Sequence, residues 1–335
     1  MQALSVTSVA GAIEWPERRT APDTWLISRS ADVWLACAGG GVLLVAMAIV
    51  LLWHGDRELD ATDLLLSELH LGATYHAVAH GQLWRRMPFD VVVIPLLIAI
   101  ATYVLMLGGL SILITTATLY LGAWHRGRQN FGIARYYQTC AGGALSPWHA
   151  RSFDAAIYLP MAAGIAYFTS ASPSNEGDPF LGPAVDPRIL AALGLMAAVA
   201  VAAYLTLTAR HRERVHPGER MVVAANAIAF GSAYVLGAWN VSFILVLVVH
   251  HEVQYLYFTY AMARRATGAR LRTAAGEFRL LASFATWPLL GLASWALCRG
   301  SDSEWIPPFL ASGLLCHYWL DGRIWTRRAR RLAAS

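Results

Sequence analysis

Charge is scarce in this chain. Only 14% of its 335 residues are Asp, Glu, Lys or Arg, 57% are hydrophobic and the mean hydropathy is +0.46. Soluble domains carry about 25% charged residues, so this composition excludes an ordinary water-soluble globule and predicts a polytopic membrane protein. Paired cysteines are missing too. The four present, Cys37, Cys140, Cys298 and Cys316, form no CxxC spacing, which excludes a thiolate zinc site or a disulfide framework. The first 30 residues lack a compact apolar core behind a basic start, so no cleavable signal peptide is expected. Glycine-rich GxGxxG and P-loop segments are absent, as is a serine nucleophile motif; no nicotinamide, flavin or nucleoside-triphosphate domain is expected.

Long apolar runs take the place of these features. A helix rises about 1.5 Å per residue and the hydrocarbon core is about 30 Å thick. On that measure the sequence predicts an all-α bundle of ten transmembrane helices near 32–53, 62–84, 90–108, 109–126, 153–171, 188–209, 221–239, 241–263, 280–298 and 305–325. Gly108-Gly109 divides the third from the fourth, and the region of Asn240 divides the seventh from the eighth. Arginine accumulates in "LWRR", "HRGRQNFGIAR", "RHRERVHPGER", "RRATGARLRTAAGEFR" and "RIWTRRARR", whereas "HGDRELDAT", "SPSNEGDPFLGPAVD" and "RGSDSE" are acidic or mixed. Cytoplasmic loops carry the excess of basic residues. Both termini are therefore expected in the cytoplasm, with residues 1–31 as a tail, 32–325 as the bundle and 326–335 as a basic tail. Because these arginines follow topology, no nucleic-acid partner is expected.

The spans sort the eleven histidines. His54, His149, His211 and His216 fall at helix ends or in loops and are expected to be solvated. His70, His76, His80, His125, His250, His251 and His317 fall in or at the edge of spans. Counting back from the cytoplasmic helix ends puts His80 and His125 within about 6 Å, His76 and His317 roughly 12 Å deep, and His250, His251 and His70 roughly 18–21 Å deep. Residues four apart share a helix face, as in "HAVAH" (His76, His80), His250 with Gln254, and His317 with Asp321. Polar groups in hydrocarbon are costly unless something satisfies them, and a divalent ion satisfies several imidazoles at once. The seven histidines and Asp321 are thus candidate metal ligands. Glu68, Gln129, Glu252, Gln254 and Asp321 are candidates to orient them, and Glu252 and Gln254 are also candidates for a catalytic role.

Nitrogen-rich sites without thiolate suit iron, copper or zinc. Two non-haem irons use this inventory best; a b-type haem held between paired histidines is the alternative, with copper or zinc behind it. The pattern resembles the sites of membrane-bound di-iron desaturases and alkane hydroxylases, whose boxes read HxxxH and HxxHH. "HAVAH" matches the first box, but "LVVHH" has Leu247 where an HxxHH box begins with His, and no second box exists. A wider resemblance lies in "ELHLGATYH", "AWHRGRQNFGIARYY", "HHEVQYLYF" and "HYWLDGRIW", which together look like a group of bacterial ten-span proteins accompanying pathways to azoxy and other N–N bonded products. These resemblances imply an O₂-activating oxygenase of the bacterial inner membrane that hydroxylates, desaturates or N-oxygenates a small or apolar substrate, even a hydrazine, with a cytoplasmic electron donor. An electron-transfer or quinol-oxidising protein and a transporter are the competing classes. Trp84, Tyr75, Tyr255, Tyr257, Phe258 and Trp319 are candidate pocket aromatics.

Overall fold

A computed structural model of the chain describes residues 25–37, 69–79, 83–171, 181–182, 185–238, 243–267, 274–299 and 305–324. Every regular element among them is a helix. We label them α1 (Arg29–Ala31, running into a π-helical turn at Asp32–Cys37), α2 (69–79), α3 (Leu83–Arg86), α4 (Ile94–Leu107, entered through a π-helical turn at Phe89–Val93), α5 (Ser111–Cys140), α6 (Pro147–Ala171), α7 (Pro187–Arg210), α8 (Pro217–Gly237), α9 (Ile244–Thr267), α10 (Ala274–Arg299) and α11 (Ile306–Ile324). Three helical stretches are long and apolar enough to cross a membrane: Phe89–Leu107, Pro187–Arg210 and Pro217–Gly237.

Local chemistry explains the boundaries. Gly108 and Gly109 divide α4 from α5 as the sequence predicts, and Gly109 takes φ 79°, a left-handed conformation that a side chain disfavours. Asp186 and His216 each precede a proline and cap the following helix. The Asp186 carboxylate accepts from Arg188 N–H at 2.7 Å, and His216 Nδ1 accepts from Gly218 N–H at 3.0 Å. Helix α6 continues through Pro160 and α10 through position 288, both of which read as possible breaks in sequence.

One sequence expectation fails clearly. "HRGRQNFGIAR" reads as a cytoplasmic loop, yet α5 runs unbroken for 30 residues to Cys140, about 45 Å. Its polar residues are met by neighbours rather than by water: Asn130 and Gln138 are buried, and Gln138 Nε2 donates to Glu219 at 2.8 Å.

Two histidines expected in solvent are also buried. His149 is 1% exposed, with Nε2 3.1 Å from Glu219, and His216 is fully buried, stacked on Tyr137 with ring centroids 4.8 Å apart. His149 lies in the first turn of α6 and His216 just before α8, and each imidazole accepts from a nearby backbone N–H, of Leu145 and Gly218 respectively. His211 is exposed as expected, and His54 lies outside the described residues.

Helix α6 packs on α7 and α8, α5 on α8, α11 on α4, and α9 on α8. The N-terminal segment is tied into this bundle by Asp32. Its buried carboxylate accepts from Leu26 N–H (2.5 Å), Ile27 N–H (3.1 Å), Tyr137 O–H (2.7 Å) and Tyr257 O–H (2.5 Å). Arg265 adds hydrogen bonds to the carbonyls of Trp25 and Leu26.

Candidate metal centre

Four helices each bring one histidine to a common point: His70 from α2, His125 from α5, His251 from α9 and His317 from α11. One ligand nitrogen from each lies within 4.8 Å of the other three, and all four side chains are buried. His70 Nε2 is 2.7 Å from His317 Nε2, which is 3.1 Å from His125 Nε2. The rings of His70 and His251 are 4.5 Å apart, and those of His125 and His251 4.9 Å.

The surrounding groups assign the tautomers, because a ring nitrogen that donates to a fixed acceptor leaves the other as a lone pair. Glu252 Oε2 lies 2.7 Å from His70 Nδ1, within ion-pair distance of a protonated imidazole. Thr74 Oγ1 lies 2.7 Å from His317 Nδ1 and itself donates to Asp321 at 3.0 Å, so it accepts from His317. Tyr255 O–H donates to the same Asp321 oxygen at 2.5 Å, and its ring stacks on His70 at 4.1 Å with 4° between planes. His70 and His317 face each other through their Nε2 atoms at 2.7 Å, a distance that one shared proton or a bound cation satisfies. His251 Nδ1, buried and without a hydrogen-bond partner among the described residues, adds a further unspent donor to the group.

Three ionisable groups border the imidazoles: Arg126 acts on all four, Glu252 lies beside His70, and Asp321 Oδ2 is 3.7 Å from His125 Nε2.

The remaining predicted residues fall elsewhere. His76 is buried with its ring edge-on to Phe284 at 5.1 Å, and His250 is buried beside His251; neither belongs to the four-imidazole group. His80 and Glu68 lie outside the described residues. Asp321 turns to Thr74 and Tyr255, while Arg323 pairs with Asp90 at 2.9 Å instead. Gln254 does not reach an imidazole. It donates to Ala36 O (2.7 Å) and Asn130 Oδ1 (3.0 Å) and accepts from Gln129 (2.9 Å), which also donates to the His251 carbonyl (3.0 Å). Gln254 thus acts on His251 through Gln129 and the backbone. The cysteines whose side chains are described, Cys37, Cys140 and Cys316, are free and buried, and Cys316 donates to the Pro95 carbonyl.

Sequence reasoning missed Thr74, and named Tyr255 only as a candidate pocket aromatic. The signal was available: Thr74 follows His70 by four residues and Tyr255 follows His251 by four, so each shares a face with a ligand candidate.

A cavity of about 640 Å³ opens beside the group, with His125, Tyr255 and Asp321 in its wall. Phe258 and Trp319 line it as well, whereas Tyr75 and Trp84 are exposed and Tyr257 is engaged with Asp32. Compared with known proteins, the chain matches no protein-family profile, no curated sequence and no solved structure.

Proposed function

We propose that this protein is a membrane-embedded, histidine-rich metal oxidoreductase that activates O₂ at a non-haem iron centre. The observation that carries the reading is the convergence of four buried imidazoles, one from each of four helices, with their ligand nitrogens within 4.8 Å of one another. His70, His125, His251 and His317 would hold iron, and Asp321 is the carboxylate beside them. Iron there would supply the redox chemistry for hydroxylating, desaturating or N-oxygenating a substrate in the adjoining cavity.

The chain's own groups have definable parts. Glu252 and Thr74 hold the Nδ1 protons of His70 and His317, which fixes both rings with their lone pairs inward. Asp321 collects the Tyr255 and Thr74 hydroxyl protons on one oxygen and leaves the other toward His125. The buried rings keep water from the centre.

Haem fits less well, because four imidazoles this close leave no plane between any two of them for a porphyrin. An all-imidazole set also suits copper or zinc, and elemental analysis separates these from iron. The wider reading is a ten-span protein of the bacterial inner membrane, both termini cytoplasmic, receiving electrons at its arginine-rich face. Its test is metal analysis with an absorption spectrum on detergent-purified protein. Iron approaching two per chain without a Soret band supports the reading; a Soret band, or protein purified without transition metal and unable to take it up, refutes it.

A further inference from the structure

The cavity beside the metal centre has a charged end that the proposed chemistry does not use. Arg128 and Arg135 both line it. Seven residues apart on α5, they share a helix face, and they follow His125 by about 4.5 and 15 Å along the axis. The cavity therefore extends along α5 from Ala117 and Leu121 past His125 to Arg135, with Ile98 and Leu315 also in its wall.

Neither guanidinium is neutralised by a carboxylate. Arg128 donates to the Tyr158 hydroxyl at 3.1 Å and lies over the Phe131 ring at 5.1 Å; Arg135 donates to the Gln138 amide oxygen. Asp154 acts on Arg135 through space, yet among the described residues neither arginine has an acidic partner within ion-pair distance. A guanidinium carries five N–H donors, so these neutral contacts leave most of them to give.

We propose that the cavity binds a single-chain anionic amphiphile, its carboxylate or phosphate head between Arg128 and Arg135 and its apolar body directed at His125. Calling this ligand the substrate rests on the function proposed above; its binding does not.

Binding of dodecanoate, dodecyl phosphate and dodecan-1-ol to the protein as purified, in zwitterionic nanodiscs, tests the proposal by calorimetry against empty nanodiscs. Both anions should bind at least about 10-fold tighter than the alcohol, since a hydrogen bond to a charged group is worth about that factor or more. Arg135→Gln and Arg128→Gln should each remove most of this preference while leaving the alcohol unchanged, which also reports that the cavity is intact. Phe258→Trp, which fills the cavity, should weaken all three. Equal affinity for acid and alcohol, or a preference that survives both arginine substitutions, would overturn the proposal. Loss of dodecanoate binding on adding anionic phospholipid to the nanodisc would also overturn it, by identifying a bilayer lipid as the occupant. Iron content measured on the same sample keeps failure of the metal reading separate from failure of the ligand reading.

Discussion

Replacing Glu252 by glutamine probes the metal centre without removing a ligand. Glu252 sits 2.7 Å from His70 Nδ1 on the side of the ring away from His317. Glutamine can still accept that proton through its amide oxygen, so the ring keeps its orientation. The carboxyl group beside His70 is replaced by a neutral amide, however. Removing an outer partner of a metal-bound imidazole typically costs about 10–100-fold in metal affinity, or about 1.4–2.8 kcal/mol. Glu252→Gln should therefore be purified with metal yet surrender it to a chelator at about 10–100-fold lower chelator concentration than the parent protein. His70→Ala should be purified without a full complement. A chelator titration with elemental analysis reads both, and thermal unfolding in the same detergent verifies that the bundle survives. If Glu252→Gln held metal as tightly as the parent, the Glu252 carboxylate would not tune His70, and its role at the centre would be refuted.

Other outcomes follow from the same geometry. His317→Ala, whose ring stands between His70 and His125, should lose metal, whereas His211→Ala should keep it; equal loss in both would indicate unfolding instead. Asp32→Ala leaves two backbone N–H groups and two tyrosine hydroxyls buried without their acceptor. At about 1–3 kcal/mol for each such group, its unfolding temperature should drop steeply or the protein should fail to accumulate. Gly218→Ala would place a Cβ 2.9 Å from the Tyr137 ring, which Asp32 holds in place, and should cost about 1–3 kcal/mol. Gly231→Ala, on the same helix with nothing within 4 Å, should be neutral or stabilising by about 0.5–1 kcal/mol. A fusion reporter after residue 335 should report cytoplasm and one within "SPSNEGDPF" the outside; the same side for both would sink the ten-span topology.

Hydropathy made the helical class and the Gly108-Gly109 division legible, because both are written in local composition. The end of α5 was not legible. Its last turns are polar enough to read as a loop, and they become helix only because Gln138 meets Glu219 and Asn130 meets Gln254, residues 81 and 124 positions away. Loop histidines misled for a related reason: a sequence shows that His149 and His216 are polar but not that a carboxylate and a capped helix await them. Within the centre, sorting histidines by span singled out a set that includes His70, His125, His251 and His317, but the depth count set His125 about 12–15 Å from His70 and His251, whereas their nitrogens lie within 4.8 Å because α5 continues past residue 126 to Cys140. It could not tell which way each ring turns about its helix axis. His250 and His251 are adjacent, and only the rotation of α9 decides that His251 joins the group.

Asp32 gives this fold a timetable. Its acceptor oxygens lie near the start of the chain, while two of its four donors, on Tyr137 and Tyr257, follow 105 and 225 residues later. At about 5–20 residues per second of synthesis, the last donor emerges roughly 10–45 s after the carboxylate that needs it. The segment that seals the bundle beneath Gln254, through Ala36, is therefore made first and closed late.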